Sequence, residues 1–151
     1  MRVSAKADYA VRAAIELAST TGGPAKGEAI ANAQDIPLKF LENILIELRH
    51  ADIVRSQRGP EGGYWLARPP EEITVAEVIR SVEGPLASVR SQRPEDVQYA
   101  GNAVALRDVW VALRANIRDV LERTTLADVV AGELPKRVSE LAGDPEAWQA
   151  H

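Results

Sequence analysis

Three features of the 151-residue chain predict a mainly α-helical fold carrying one small β-hairpin. Apolar residues recur at three- and four-residue spacing, the mark of helices with one buried face. At residues 53–68 that period gives way to short alternating runs around Arg58-Gly59-Pro60-Glu61-Gly62-Gly63, where three glycines supply backbone angles that other residues resist. From residue 103 a last apolar stripe runs on for about six helical turns, longer than one short domain easily covers.

The first helix spans 4–20, with Ala10/Val11, Ala14/Ile15 and Leu17/Ala18 as its stripe, and Gly22-Gly23-Pro24 breaks it. Residues 26–33 form a short helix anchored by Ile30, followed by a turn through Gln34 and Asp35. A third helix begins at Pro37, where a missing N–H costs nothing, and buries Leu41, Ile44, Leu45 and Leu48. Asp52 stands just past its end, where a left-handed residue is preferred and glycine suits better. In the hairpin, Val54 and Ser56 share one face, and Arg55 and Gln57 the other. Residues 64–67 return as the partner strand, which Pro69-Pro70 ends. Trp65, opposite Tyr64 and Leu66, either covers the back of the hairpin or meets a partner.

Thr74-Val75-Ala76-Glu77 has capping-box spacing and opens a helix that stops at Gly84-Pro85 and buries Val75, Val78, Ile79 and Val82. Residues 86–102 form a charged connector with a turn of helix near 94–99. In the long helix, 103–123, Leu106, Val109, Trp110, Leu113, Ile117, Val120 and Leu121 repeat at coiled-coil-like spacing. A partner helix would cover that stripe; packing on its own domain is the other reading. Thr125 caps a short helix, 126–131, ended by Gly132, and 133–151 is expected to be a partly mobile tail. The chain thus divides into a front unit of helices and hairpin (1–85), a connector (86–102), a unit of the long helix and the short helix after it (103–132) and a tail (133–151).

A helix followed by a hairpin with an arginine at its tip is the layout of a winged helix-turn-helix. A surface helix beside an ordinary hairpin is the bland alternative. In the winged reading, Lys39, Glu42, Asn43 and Ile46 lie opposite the apolar stripe, available to a major groove. Arg58 at the tip reaches phosphate or the electronegative minor groove.

The wording Pro37-Leu38-Lys39-Phe40-Leu41-Glu42-Asn43-Ile44-Leu45, then Ile53-Val54, then Ser56-Gln57-Arg58-Gly59-Pro60-Glu61-Gly62-Gly63-Tyr64-Trp65-Leu66, closely resembles the signature of the Rrf-two family of bacterial regulators, the IscR-, NsrR- and CymR-like proteins. Met1-Arg2-Val3-Ser4-Ala5-Lys6-Ala7-Asp8-Tyr9-Ala10 is similar to the family's first helix, and the resemblance extends to about residue 130. It implies a dimeric, sequence-specific transcription regulator, most readily a repressor, that meets double-stranded DNA at a palindromic operator and forms a homodimer through the long helix. It also implies that Lys6, Tyr9 and Lys26 lie near the DNA backbone; Tyr9 alone reads equally as a core-edge aromatic. On this reading Lys39 and Asn43 meet base edges, and Glu42 accepts from cytosine or repels other bases. Ser4, Lys6, Arg49 and Arg55 hold the backbone, Arg58 enters the minor groove or binds phosphate, and Leu38 and Gly59 complete the DNA-facing set. Asp52 departs from the family pattern, which usually has glycine there.

Cluster-binding members of the family carry three cysteines in the connector. The nearest equivalents here are Ser91, Val97 and Ala103, none a ligand for iron, and the chain has no cysteine. Asp8 matches an acidic position that serves some relatives as a ligand, but without thiolates it reads as a surface carboxylate in a first helical turn. His50 and His151 are the only histidines. No metal site and no cofactor are expected. Arg90, Arg93, Asp96 and Tyr99, with Arg107 and Trp110, suggest an effector region for a small molecule or a regulatory protein; a solvated loop over the dimer seam is the competing reading.

The net charge is −4, yet residues 1–68 hold nine Lys+Arg against eight Asp+Glu, while 69–151 hold nine against fourteen. A front half at +1 predicts weak non-specific affinity with steep salt dependence. It also leaves open a second function, a protein-interaction module that kept the winged fold and lost DNA binding. The salt slope separates the two. An enzyme is not expected, because no phosphate-cradling glycine loop, paired metal ligands or nucleophile–base set occurs. No apolar run approaches the ~20 residues needed to span a bilayer, and no signal-peptide pattern opens the chain, so a cytoplasmic protein with no membrane partner is expected.

Overall fold

In the computed structural model, which describes residues 1–151, the helix at the centre of the core is α1 (Ala5–Ser19). Four of its five buried residues are alanines, Ala7, Ala10, Ala13 and Ala14, with Leu17 the fifth. Such a smooth face lets neighbouring helices approach closely. The helices α2 (Gly27–Gln34), α3 (Leu38–His50), α4 (Val75–Glu83) and α6 (Leu126–Ala131) all pack against it. Ser4 starts α1 by accepting a hydrogen bond from the Ala7 N–H at 3.0 Å.

The pair α2 and α3 is joined by a tight turn in which Asp35 is left-handed (φ 50°) and Ile36 is buried. As expected, α3 buries Leu41, Ile44, Leu45 and Leu48. Its end is a Schellman motif: the Ile53 N–H reaches the Leu48 carbonyl (3.0 Å) and the Asp52 N–H reaches that of Arg49 (3.1 Å). Asp52 takes the left-handed position, φ 58°.

The strands β1 (Val54–Gln57) and β2 (Gly63–Leu66) pair antiparallel, with Val54 opposite Leu66 and Ser56 opposite Tyr64. Val54 is buried and Arg55 and Gln57 are exposed, matching the predicted alternation. One pairing has no counterpart in the sequence reading: Ala25, between α1 and α2, exchanges two 2.8 Å backbone hydrogen bonds with Tyr64. That approach explains Gly63, where an added Cβ would lie 2.6 Å from the Ala25 carbonyl oxygen.

Both short helices beyond the wing carry full capping boxes, Thr74 with Glu77 and Thr125 with Asp128. The buried set of α4 differs from expectation: it is Ala76, Val78 and Val82, with Val75 and Ile79 only half-buried. The cause is that α4 serves two neighbours. It packs on α1 and α3, while Ile79 turns toward a cleft shared with α5 (Leu106–Leu121).

This α5 begins later than predicted because residues Gly101–Ala103 form a separate 3-10 turn. It leans on the 3-10 turn Pro94–Asp96, on α4 and on α7 (Lys136–Ala142), and none of its 16 residues is buried. The chain then returns to the core. Val75 N–H bonds the Thr124 carbonyl and Leu126 N–H that of Ile73, both at 2.9 Å, and Leu126 is fully buried among the α1 and α3 side chains' cluster. Thus α6, grouped by sequence with the dimerisation helix, packs in the core of the first unit.

Residues 133–151, expected as a tail, instead carry α7 and a 3-10 turn, Pro145–Trp148. Pro135 precedes α7 and Pro145 opens the turn, positions where proline favours helical geometry. Arg137 ties α7 to Asp119 of α5 at 3.3 Å. No helix is long and apolar enough to cross a membrane.

Candidate nucleic-acid interface

Opposite its buried stripe, α3 exposes Lys39, Glu42, Asn43 and Ile46, as predicted. Lys39 has no carboxylate partner, so its ammonium is available to an outside acceptor. Leu38 is 37% exposed and Phe40 65%. Phe40 was not singled out in the sequence; its position in the first turn of α3, off the apolar period, is the signal that could have marked it.

Several expected backbone-binding groups are engaged within the protein. The Lys26 ammonium donates to the carbonyls of Gly59 (3.1 Å) and Pro60 (2.8 Å), which fastens the wing tip to the start of α2. Arg49 donates from Nη1 to the Ser56 hydroxyl at 3.2 Å, which holds β1 against α3. Lys6 pairs with Glu47 of α3 at 2.9 Å, and the Ser4 hydroxyl donates to the Glu83 carboxylate while capping α1. Tyr9 is half-buried against the core, with the Arg12 guanidinium 5.0 Å from its ring centroid. Arg12 was missed by the sequence reading. Its Nη1 donates to the Gln34 carbonyl at 2.5 Å, satisfying the end of α2, and its Nη2 pairs with Asp8 at 2.9 Å. Arg55 and Arg58 are exposed and have no carboxylate partner.

The wing tip is set by backbone closeness. A Cβ on Gly62 would sit 2.0 Å from the Gln57 carbonyl oxygen, while Gly59 (φ 102°) faces open space. The tip is therefore a fixed loop that presents Arg58 beside Gly59 and is anchored by Lys26.

The residues at the cluster positions of some relatives do not fit an iron–sulfur group. Val97 is fully buried and apolar, Ser91 is exposed in a left-handed turn (φ 63°), and Ala103 is exposed. No three His, Cys, Asp or Glu side chains converge to hold a metal ion. The expected effector region separates into parts. Arg90 lies 5.9 Å from the Tyr99 ring centroid, and the Trp110 indole donates to the Tyr99 hydroxyl at 2.9 Å. Arg93 lines a cleft elsewhere, and Arg107 approaches only its neighbour Asp108, at 4.0 Å.

A helical pair with an exposed polar face on its second helix, followed by a pinned hairpin, defines a winged helix-turn-helix DNA-binding protein. The Rrf2 family model, described as an iron-dependent transcriptional regulator, matches residues 3–132, and the chain belongs to this family of DNA-binding transcriptional regulators. A Mycobacterium tuberculosis protein provisionally named an HTH-type transcriptional regulator, Rv1287, is 54% identical over 99% of this chain and 94% of its own length. Among solved structures, that of CymR, the global cysteine regulator of B. subtilis, superposes with a TM-score of 0.74 at 34% identity, covering 87% of this chain and 98% of that one. IscR of T. potens superposes with a TM-score of 0.69 at 32% identity, covering 100% and 93%.

Proposed function

We propose that the chain binds a palindromic operator as a homodimer in the cytoplasm and acts as a repressor, with neither an iron–sulfur cluster nor enzymatic activity. The observation that carries this reading is the division of labour among the cations. Lys26, Arg49 and Lys6 brace the wing and α3, while Lys39, Arg55 and Arg58 stay unpaired beside Asn43. A braced frame with free donors suits selective contact, since little side-chain and loop order is lost on binding. In this reading Lys39 and Asn43 read base edges, Glu42 tunes base preference, and Arg58 with Gly59 meets the backbone or minor groove. Ser4, Tyr9 and Leu38 flank that surface. The apolar stripe on α5, with no buried residue, supports a second copy as its cover, and a dimer suits the paired half-sites about 34 Å apart that helix-turn-helix proteins read. The connector is the region where an effector would act.

The test is fluorescence anisotropy against DNA from upstream of the protein's own gene over a salt series, with a scrambled duplex and Arg58→Ala as controls. Tight binding confined to the native fragment is expected, and Arg58→Ala should weaken it and lower the salt slope by about one. Equal, weak binding to both duplexes would overturn the operator-specific reading.

A further inference from the structure

A cleft of about 660 Å³ lies beside the connector, separate from the α3 face. Four arginines line it: Arg80 from α4, Arg93 from the connector, and Arg114 and Arg118 from α5. Two carboxylates answer them. Glu95 pairs with Arg114, and Glu122 pairs with Arg80 and lies 3.7 Å from Arg118. Four guanidinium groups against two carboxylates leave an excess of two positive charges, and Arg93 has no carboxylate partner.

We propose that this cleft binds a small metabolite bearing about two negative charges, a phosphate monoester or a dicarboxylate, and that its occupancy changes DNA binding. The proposal rests on the regulator reading above. Arginine suits the ligand because its planar fork matches carboxylate and phosphate oxygens in pairs. The wall carrying Arg93 is well defined. Val89 and Gln92 close a two-residue turn through mutual 2.9 Å backbone hydrogen bonds, with Arg90 (φ 50°) and Ser91 (φ 63°) both left-handed. Non-glycine residues held in that region mark a backbone that its surroundings over-determine. A backbone hydrogen bond, opposed by desolvation and reinforced by the Arg114 guanidinium and the charge of Arg93, holds the Glu95 carboxyl below its usual range.

The location supplies the coupling. α4 packs on α1 and α3, the reading head, whereas α5 is the arm with the uncovered stripe. The Arg80–Glu122 pair is an ionic link between the two. An anion that engages Arg80 together with Arg114 or Arg118 spans the same two elements and competes with Glu122. The two arrangements then differ in the contacts that join head and arm, the differential that coupling requires.

The full chain would be titrated by calorimetry with glycerol 3-phosphate and with succinate, separating the phosphate and dicarboxylate classes, and each probe would be added to operator binding measured by anisotropy. Arg93→Gln removes the unpaired donor without breaking an ion pair, and Arg107→Gln is the control outside the cleft. Saturable binding of one probe, weakened about tenfold or more by Arg93→Gln and not by Arg107→Gln, with a shift in operator affinity, is expected. No saturable binding through the millimolar range, or equal loss in both variants, would overturn the site. Binding with unchanged operator affinity would overturn its regulatory role. Because the calorimetry needs no DNA, failure of operator binding itself would be recognised separately.

Discussion

Asp52 is an L-residue in the left-handed position of the Schellman motif that ends α3. Its Cβ crowds the following carbonyl, a cost on the order of 1–2 kcal/mol for L-residues, smaller for aspartate. Glycine removes that strain but adds unfolded-chain entropy worth about 0.4–1 kcal/mol. Asp52→Gly should therefore raise stability by roughly 0.5 kcal/mol, seen as a higher urea midpoint at unchanged m value. A lower midpoint would mean that the carboxylate contributes an interaction worth more than the strain. This position was legible in sequence because helix-end chemistry is local: the end of the apolar period and one side chain define it. Lys26 was legible only as a nearby cation. Its partners are the carbonyls of Gly59 and Pro60, 33 and 34 residues away, and no local pattern encodes a long side chain bonding to distant backbone. Arg12, bonding to Gln34 from 22 residues away, was missed for the same reason.

Among the elements, helices α1 to α4 and α6 were readable because each buries one face at helical period or opens with a recognisable cap. The Ala25–Tyr64 bridge was not, since a single residue pair has no period. The packing of α6 was also hidden, because Leu126 reads the same whether it faces α1 or a partner chain. The wing allows a sharper test. Gly62 has no room for a Cβ, 2.0 Å from the Gln57 carbonyl, whereas Gly59 has room but a left-handed φ. Gly62→Ala must therefore move the tip, and Gly59→Ala need only strain it. The hairpin is an exposed, short element, so the damage should remain local, with the loss in global stability capped by what the wing contributes. We expect Gly62→Ala to weaken operator binding more than Gly59→Ala, with both retaining the wild-type helical circular dichroism. Equal binding by the two variants, measured by anisotropy, would show that the tip's fixed shape is irrelevant to DNA contact.

At the scale of the molecule, the decisive feature is a 16-residue helix whose apolar stripe finds no buried place within its own chain. Val109 is 54% exposed, and Leu106, Trp110, Leu113, Ile117, Val120 and Leu121 are all only half-buried. The cleft bordered by Ile117, Val120 and Leu121 continues that stripe between α4, the N-terminus and α5, with a volume of about 680 Å³. Apolar surface of this extent is costly in water at about 25 cal/mol per Å², and a second α5 laid against it would remove the cost from both chains at once. Leu113→Glu with Ile117→Glu places two charges in the middle of the proposed seam. Neither side chain belongs to the buried core, so the first unit should still fold. Light scattering after size exclusion should then report a monomer, and far-ultraviolet circular dichroism should be nearly unchanged. The apparent affinity for a two-half-site duplex should fall by about 10²–10⁴-fold, because the second head no longer benefits from the effective concentration that linkage provides. Affinity for a single half-site should change little, since α3 and the wing are untouched. If the double variant stayed dimeric, the seam would lie elsewhere on the chain, and the uncovered stripe on α5 would need a different occupant.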